Sequence, residues 1–242
     1  MSEPAQPRAI GLVVEAAADE QTARILTDRV LVASRDWVDE PTLEALRQFR
    51  GIGPGSEATL WKEVRGLARE HGVRKHGHFS GEPGAPDAQA ARRALILFHK
   101  LGMPDAVVLV RDADAQPQRR RGLSQARGES PHSSRVAVGV AIPEREAWVL
   151  AGFEPRDDDE VQALAHERRR LGFDPSDQPE RLGGDGKRSA KTALRNLSGG
   201  NRDRERECLD RTPLESLRRR GARCGLSELL DELRTRVVPS IV

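Results

Sequence analysis

Asp112 and Asp114 follow the apolar run Val107-Val108-Leu109-Val110, with Arg111 leading into the pair. A Val/Leu run bounded by polar residues reads as a buried strand of the parallel-sheet kind, and open α/β sheets place their ligands at the C-terminal ends of such strands. Two acids one residue apart repel each other unless a cation or a proton lies between them. Hard divalent cations such as Mg²⁺ take oxygen ligands of this sort. The bland alternative is an exposed turn after a strand.

Two further apolar runs end the same way. Ala9-Ile10-Gly11-Leu12-Val13-Val14 stops at Glu15, and Asp19 follows four residues later, ahead of a helical pattern through Ala23, Leu26 and Val30. A helix beginning near Ala16 puts Glu15 and Asp19 on the same side of its first turn. Asp19 and Glu20 also suit the positive end of a helix, whereas a carboxylate closing a buried strand, as Glu15 does, is costly without a partner. Val136 to Ile142 is apolar almost throughout and gives way to Pro143-Glu144-Arg145-Glu146-Ala147-Trp148-Val149-Leu150. Helical spacing groups Glu146 with Val149 and Leu150 on an inward face, while Glu144 reads as a solvated first-turn residue.

Strands ending in acid at Glu15, at Asp112/Asp114 and before Glu146 form a constellation that resembles the Toprim domains of the topoisomerase–primase group. It is most similar to the small stand-alone Toprim nucleases related to the overcoming-lysogenization-defect family of bacterial defence loci. Asp19 matches an acid found there a turn after the first Glu, and Pro-Glu-x-Glu-Ala-Trp, here Pro143 to Trp148, is the most particular part of the likeness. A lysine downstream lies near the metals in that family; Lys191 is the first candidate for it and Lys187 the second. Ala16 stands where many Toprim domains carry Gly, and the interval from Glu15 to Asp112 is long for a minimal domain of that type.

The resemblance implies an α/β fold, a Toprim-like Rossmannoid with a mostly parallel central sheet flanked by helices and a helical C-terminal extension. It places a core at 8–155, with an insertion at about 36–86, and a mostly helical region at 156–242 that completes the site and packs on the core. It implies a nuclease using one or two Mg²⁺ or Mn²⁺ ions and acting on DNA or RNA, the effector of an anti-phage defence system. Glu15, Asp112 and Asp114 would be the first ligand set, Asp19 and Glu146 would complete a second, and Lys191 would offset charge on the scissile phosphate. A separately encoded ATPase of the ABC or AAA type would be its partner, and self-association into a homo-oligomer stays open. The chain has no tyrosine, which favours attack by water over a tyrosine nucleophile.

The supporting elements follow from the same patterns. Asp36 to Phe49 suggests a short helix after Pro41, Ser56 a helix cap before Leu60 and Trp61, and Asp87 the cap of a helix to Leu101 that leads into the Asp-x-Asp strand as a β–α–β crossover. Arg119-Arg120-Arg121 would steer a phosphate backbone if it faces the pocket, and is otherwise a solvated helix start. His71, His76 and His78 suggest a polar loop more than a metal site, because further ligands are missing. Gly51-Ile52-Gly53-Pro54-Gly55 lacks the Gly-Lys-Ser/Thr ending of a phosphate loop. Arg156 to Glu160 should cap a helix, Asp174 to Asp185 should be a loop, Lys187 to Leu197 a helix, and Leu214 to Val237 an amphipathic helical region.

Composition sets the outer bounds. The 242 residues are 32% charged with a net charge of +2, so net charge alone does not indicate a nucleic-acid partner. Aromatics at 3% argue against a single-strand binder built on stacking platforms. Two cysteines suggest neither a disulfide framework nor a zinc site. Met1 to Arg8 has no apolar signal core and no run approaches membrane-span length, so a cytoplasmic, non-membrane protein is expected. Two rivals to the nuclease remain: a Mn²⁺-dependent glycosyl- or nucleotidyl-transferase, which explains only Asp112 and Asp114, and a non-catalytic subunit that binds nucleic acid or a partner.

Overall fold

A computed structural model describes residues 6–74, 77–114, 116–183 and 186–242. His76, the first five residues of the polar N-terminal stretch, Ala115 after the Asp-x-Asp, and Gly184-Asp185 at the end of the proline-bearing loop lie outside the described residues. The fold is α/β, Rossmann-like, with a mostly parallel central sheet flanked by helices and a helical C-terminal region. Two compact units interleave along the chain: Met1–Arg111 with Gln118–Gly139 and Asp231–Val242, and Asp112–Pro117 with Val140–Leu230. The expected division at 155/156 therefore differs from the compact units, and the last dozen residues return to the first of them.

The first unit is built on the sheet. Strand β1 (Arg8–Val14) leads to α1 (Ala17–Val32), then α2 (Glu40–Leu46), β2 (Arg47–Arg50), β3 (Thr59–Leu60) and α3 (Trp61–Glu70). A two-stranded ribbon, β4 (His78–Phe79) and β5 (Glu82–Pro83), precedes α4 (Ala88–Leu101), β6 (Ala106–Asp112), α5 (Arg119–Gly128) and β7 (Val136–Ala141). The strand order is β2-β1-β6-β7, with β3 also on β1, and β1 pairs parallel with β2, β3 and β6. Ile10, Leu12 to Val14, Val107 to Val110 and Val136 to Val138 are buried, which is why these strands read as near-continuous apolar runs. Gly11 is required by packing: a Cβ there would lie 2.8 Å from the Phe98 ring of α4 and 2.9 Å from Pro104.

Three local expectations are corrected. Phe49 belongs to strand β2 and not to the helix expected after Pro41, since Arg8↔Arg47 through Gly11↔Arg50 pair as a ladder and the helix ends at Leu46. Ser56 does not cap α3; Thr59 and Leu60 pair with Val13 and Val14, and the buried Thr59 hydroxyl accepts the Ile52 N–H at 2.7 Å. The stretch expected as an insertion at about 36–86 thus supplies two members of the sheet. In each case backbone pairing in the sheet overrides a local helical pattern.

The second unit contains the Asp-x-Asp turn and the helices α6 (Arg145–Ala151), α7 (Asp158–Leu171), α8 (Ala190–Ser198), α9 (Arg202–Arg211), α10 (Leu214–Arg220) and α11 (Leu226–Glu232, through Leu230). Its centre is Trp148, fully buried, whose indole N–H donates to the Cys224 carbonyl at 2.7 Å. The Ile142 N–H reaches the same carbonyl at 3.0 Å. Gly225, at φ 85°, follows; a Cβ there would meet the Val140 carbonyl oxygen at 2.1 Å. Asp157 caps α7 through the Glu160 N–H, as expected.

A buried ion pair ties α7 to α9. Arg204 donates from Nε and Nη2 to the two Glu160 oxygens at 2.8 and 2.9 Å, and its guanidinium lies 4.7 Å from the Phe153 ring centroid. Burial by itself would raise the Glu160 carboxyl, but hydrogen bonds from Arg204 and from the Arg156 backbone and side chain outweigh it and hold the group down, from 4.5 to about 2. A carboxyl so depressed contributes stability that is complete above its unfolded value and is lost as pH falls through the folded one. Glu160→Gln should cost about 3 kcal/mol at neutral pH, because Arg204 stays buried without its counter-charge. Urea unfolding should also show a smaller stability loss in the variant than in the parent between 4.5 and about 2.

Candidate functional site

The Asp-x-Asp turn is fastened to the connection between β7 and α6 by backbone hydrogen bonds. The Ala113 N–H donates to the Ala141 carbonyl at 2.7 Å and the Asp114 N–H to the Pro143 carbonyl at 2.9 Å. Asp114 adopts φ 47°, a left-handed conformation that aspartate tolerates better than most residues. Asp112 Oδ1 accepts the Arg145 N–H at 2.8 Å, so a carboxylate takes up a donor at the start of α6 that has no helical partner. Residues about thirty apart in sequence are thereby held together: the Asp112-Ala113-Asp114 turn with the stretch from Ala141 to Arg145.

Lys191, near the start of α8, completes the group. Its Nζ lies 2.9 Å from Glu144 Oε2, with Lys191 exposed and Glu144 mostly buried. The Glu144 hydrogen bond raises the lysine above its ordinary 10.5, and Glu146 and Asp112 add to the effect through space. Three carboxylates therefore act on one ammonium. Arg145 is buried, its guanidinium 3.4 Å from Glu146 and 3.3 Å from Glu205. Glu144, expected as a solvated first-turn residue, is instead the residue bound to Lys191; Arg145 and Glu205 were not expected at all. The alternation Glu-Arg-Glu was the only local sign of Arg145, and nothing near Glu205 in sequence marks it.

Glu15 and Asp19 belong to the first unit and have partners there. Register carries Val13↔Leu109 on to Glu15 opposite Arg111, and Glu15 Oε1 lies 3.0 Å from Arg111 Nε and 3.6 Å from Arg119 Nη1. Asp87, expected to cap α4, makes no side-chain cap; it turns to the same guanidinium groups, 3.2 Å from Arg111 Nε and 3.0 Å from Arg119 Nε. Asp19 is buried and accepts the Ala16 N–H at 2.8 Å, one half of a capping box. This places Asp19 in the helix-end role that the sequence offered beside the metal-ligand role.

The arginine run does not form a solvent-facing phosphate stripe. Arg119 is buried against Glu15 and Asp87, Arg120 is half-buried, and Arg121 is exposed and paired with Glu82 at 2.8 Å. The cause is position: Arg119 opens α5 beside Glu15, at the end of a buried strand, and Asp87, at the start of α4, two partly buried acids that need a counter-charge. Lys187 is exposed. His71 closes α3 and His78 lies in the ribbon strand β4. No group of three or more His, Cys, Asp or Glu side chains among the described residues is disposed to hold a metal ion. Asp112, Asp114, Glu144 and Glu146 carry the oxygen donors that a hard cation such as Mg²⁺ or Mn²⁺ takes, but they are not gathered as a ligand set here; Lys191 and Arg145 supply positive charge beside Glu144 and Glu146.

Family models, curated proteins and solved structures return no match to this chain. No helix among the described residues is long and apolar enough to cross a membrane.

Glu144→Gln should bring the Lys191 ammonium back toward 10.5 in an amine-detected NMR titration, since its first cause of elevation is removed. An unmoved midpoint would mean that Glu144 does not hold Lys191 in solution.

Proposed function

We propose that the chain is a divalent-metal-dependent nuclease of the Toprim type that hydrolyses phosphodiester bonds in DNA or RNA. The observation that supports this is the Lys191–Glu144 ion pair beside the clamped Asp112–Asp114 turn, with Glu146 and Asp112 acting on the ammonium through space. A patch of hard oxygen donors next to a held cationic group suits a reaction in which negative charge grows on phosphate oxygens.

One or two Mg²⁺ or Mn²⁺ ions would activate a water and offset charge on the leaving oxygen. Asp112, Asp114, Glu144 and Glu146 would hold them. The Arg145 N–H fixes the orientation of Asp112 by its bond to Oδ1. Arg145, through Glu146 and Glu205, keeps the Glu146 carboxylate in place. Lys191, raised above its ordinary 10.5 and so charged throughout the physiological range, would donate to a phosphate oxygen. Glu15 and Asp19 enter this proposal through the family resemblance, and their partners here are Arg111, Arg119 and the Ala16 N–H. A separately encoded ABC- or AAA-type ATPase and a role in bacterial defence against phage belong to the same proposal.

The test incubates the purified protein with supercoiled plasmid, single-stranded DNA and tRNA in Mn²⁺, Mg²⁺ or EDTA. Metal-dependent cutting is expected, and Asp112→Ala/Asp114→Ala should lower it by more than the roughly 10- to 100-fold typical of outer-shell changes at metal sites. Asp114→Asn, at an exposed position and tolerant of the left-handed backbone, separates loss of chemistry from loss of fold. Cutting that survives in both variants would sink the assignment.

A further inference from the structure

A cleft of about 310 Å³ in the first unit is lined by Arg65 and Arg69 of α3, Gly72, Arg74 after its end, and Arg93 of α4. Several buried or half-buried arginines of that unit have acidic partners: Arg47 with Asp28, Arg111 and Arg119 with Glu15 and Asp87, Arg127 with Glu232. The four arginines of the cleft form no ion pair among the described residues, and three of them, Arg65, Arg69 and Arg74, are exposed. Glu63, on the same helix, is turned to the Leu60 N–H at 2.9 Å. The negative end of α3 accounts for one cation, Arg69, in its last turn. It does not account for Arg93 on another helix or Arg74 beyond the end. In a chain of net charge +2 this is a local excess of positive charge.

The arrangement is also linear. Lys62, Arg65 and Arg69 recur at helical spacing on one face of α3. From Lys62 to Arg69 the helix rises about 10 Å, comparable to roughly three nucleotide steps along a strand. Guanidinium groups donate in pairs to phosphate oxygens, and a string of them suits a ligand whose charges also come in a string. With aromatics at 3% of the chain, base stacking contributes little, so recognition falls to the backbone.

We infer that the α3–α4 cleft of Arg65, Arg69, Arg74 and Arg93 is a binding surface for the phosphate backbone of a nucleic acid, indifferent to base sequence. The inference names where the substrate class of the nuclease reading is held and in that respect rests on it. It moves the basic contact surface from Arg119-Arg120-Arg121 to residues that the sequence did not single out.

The test is fluorescence anisotropy with labelled duplex DNA, single-stranded DNA and RNA of arbitrary sequence, in EDTA and on the Asp112→Ala/Asp114→Ala background, so that binding is read without cutting. Arg65→Glu/Arg69→Glu should weaken binding at least roughly tenfold and lower the log–log salt slope by about 2, two phosphate contacts being removed. Arg206→Glu/Arg211→Glu, with the same change of charge on α9, should change neither. Arg74→Glu, outside any helix, repeats the test should the double reversal disturb α3. Equal losses in the two doubles, no loss in Arg65→Glu/Arg69→Glu and Arg74→Glu, or preference for anionic lipid vesicles over nucleic acid would each overturn the surface. Binding that depends on the cleft in a protein that cuts nothing would leave the surface standing and remove the nuclease. Cutting that ignores the cleft variants would do the reverse.

Discussion

Two backbone hydrogen bonds, from Ala113 to Ala141 and from Asp114 to Pro143, organise the candidate site. Without them the Asp-x-Asp is a charged turn at the end of a strand, free to swing away from like charges. With them the turn is held beside the Glu144-Arg145-Glu146 segment, where acids from both stretches cost electrostatic energy unless cations intervene. Lys191 and Arg145 are those cations in the protein itself. The backbone clamp depends in turn on deeper packing of the same unit. Trp148 and Ile142 both donate to the Cys224 carbonyl, and Gly225 permits the backbone approach that this docking needs. The C-terminal third thus positions residues of α6 as well as contributing Lys191.

The period of a strand separates the charges of β6. Arg111 and Asp112 are consecutive, so their side chains leave on opposite faces. Arg111 goes to Glu15 and Asp87 and lies 5.4 Å from the Trp61 ring centroid. Asp112 goes to the Arg145 N–H. Each compact unit therefore balances its own acids at these strand ends, one with guanidinium groups and one with a helix N–H and an ammonium. In the second, Glu144 is held by an exposed ammonium on which Glu146 and Asp112 also act, which makes it the better candidate for exchangeable ligands. The first unit's paired acids have the character of fixed structural ion pairs, and the uncompensated arginines lie elsewhere in it, on α3 and α4.

Much of this was legible in the chain. The apolar runs at Ala9 to Val14, Val107 to Val110 and Val136 to Ala141 are strands because residues buried on both faces of a sheet leave an unbroken hydrophobic signature. The helix starts at Asp87 and Asp157 and the acids at strand ends followed from local rules. Strands β2 and β3 were illegible: Arg47-Gln48-Phe49-Arg50 carries no apolar run, and only its ladder with β1 makes it a strand. Asp87 kept its place at a helix start but gave its carboxylate to Arg111 and Arg119, a choice that no pattern within α4 encodes.

The sequence by itself determined which stretches must be buried and which acids stand where such stretches end, because burial and backbone propensity act over a few neighbouring residues. Tertiary structure alone decided which charge meets which: that Glu144 holds Lys191, that Arg119 turns inward to Glu15 and Asp87, and that Arg65, Arg69, Arg74 and Arg93 line one cleft with no ion pair among the described residues. A charge is blind to its place in the chain and responds only to distance, and those distances exist only after the elements are assembled.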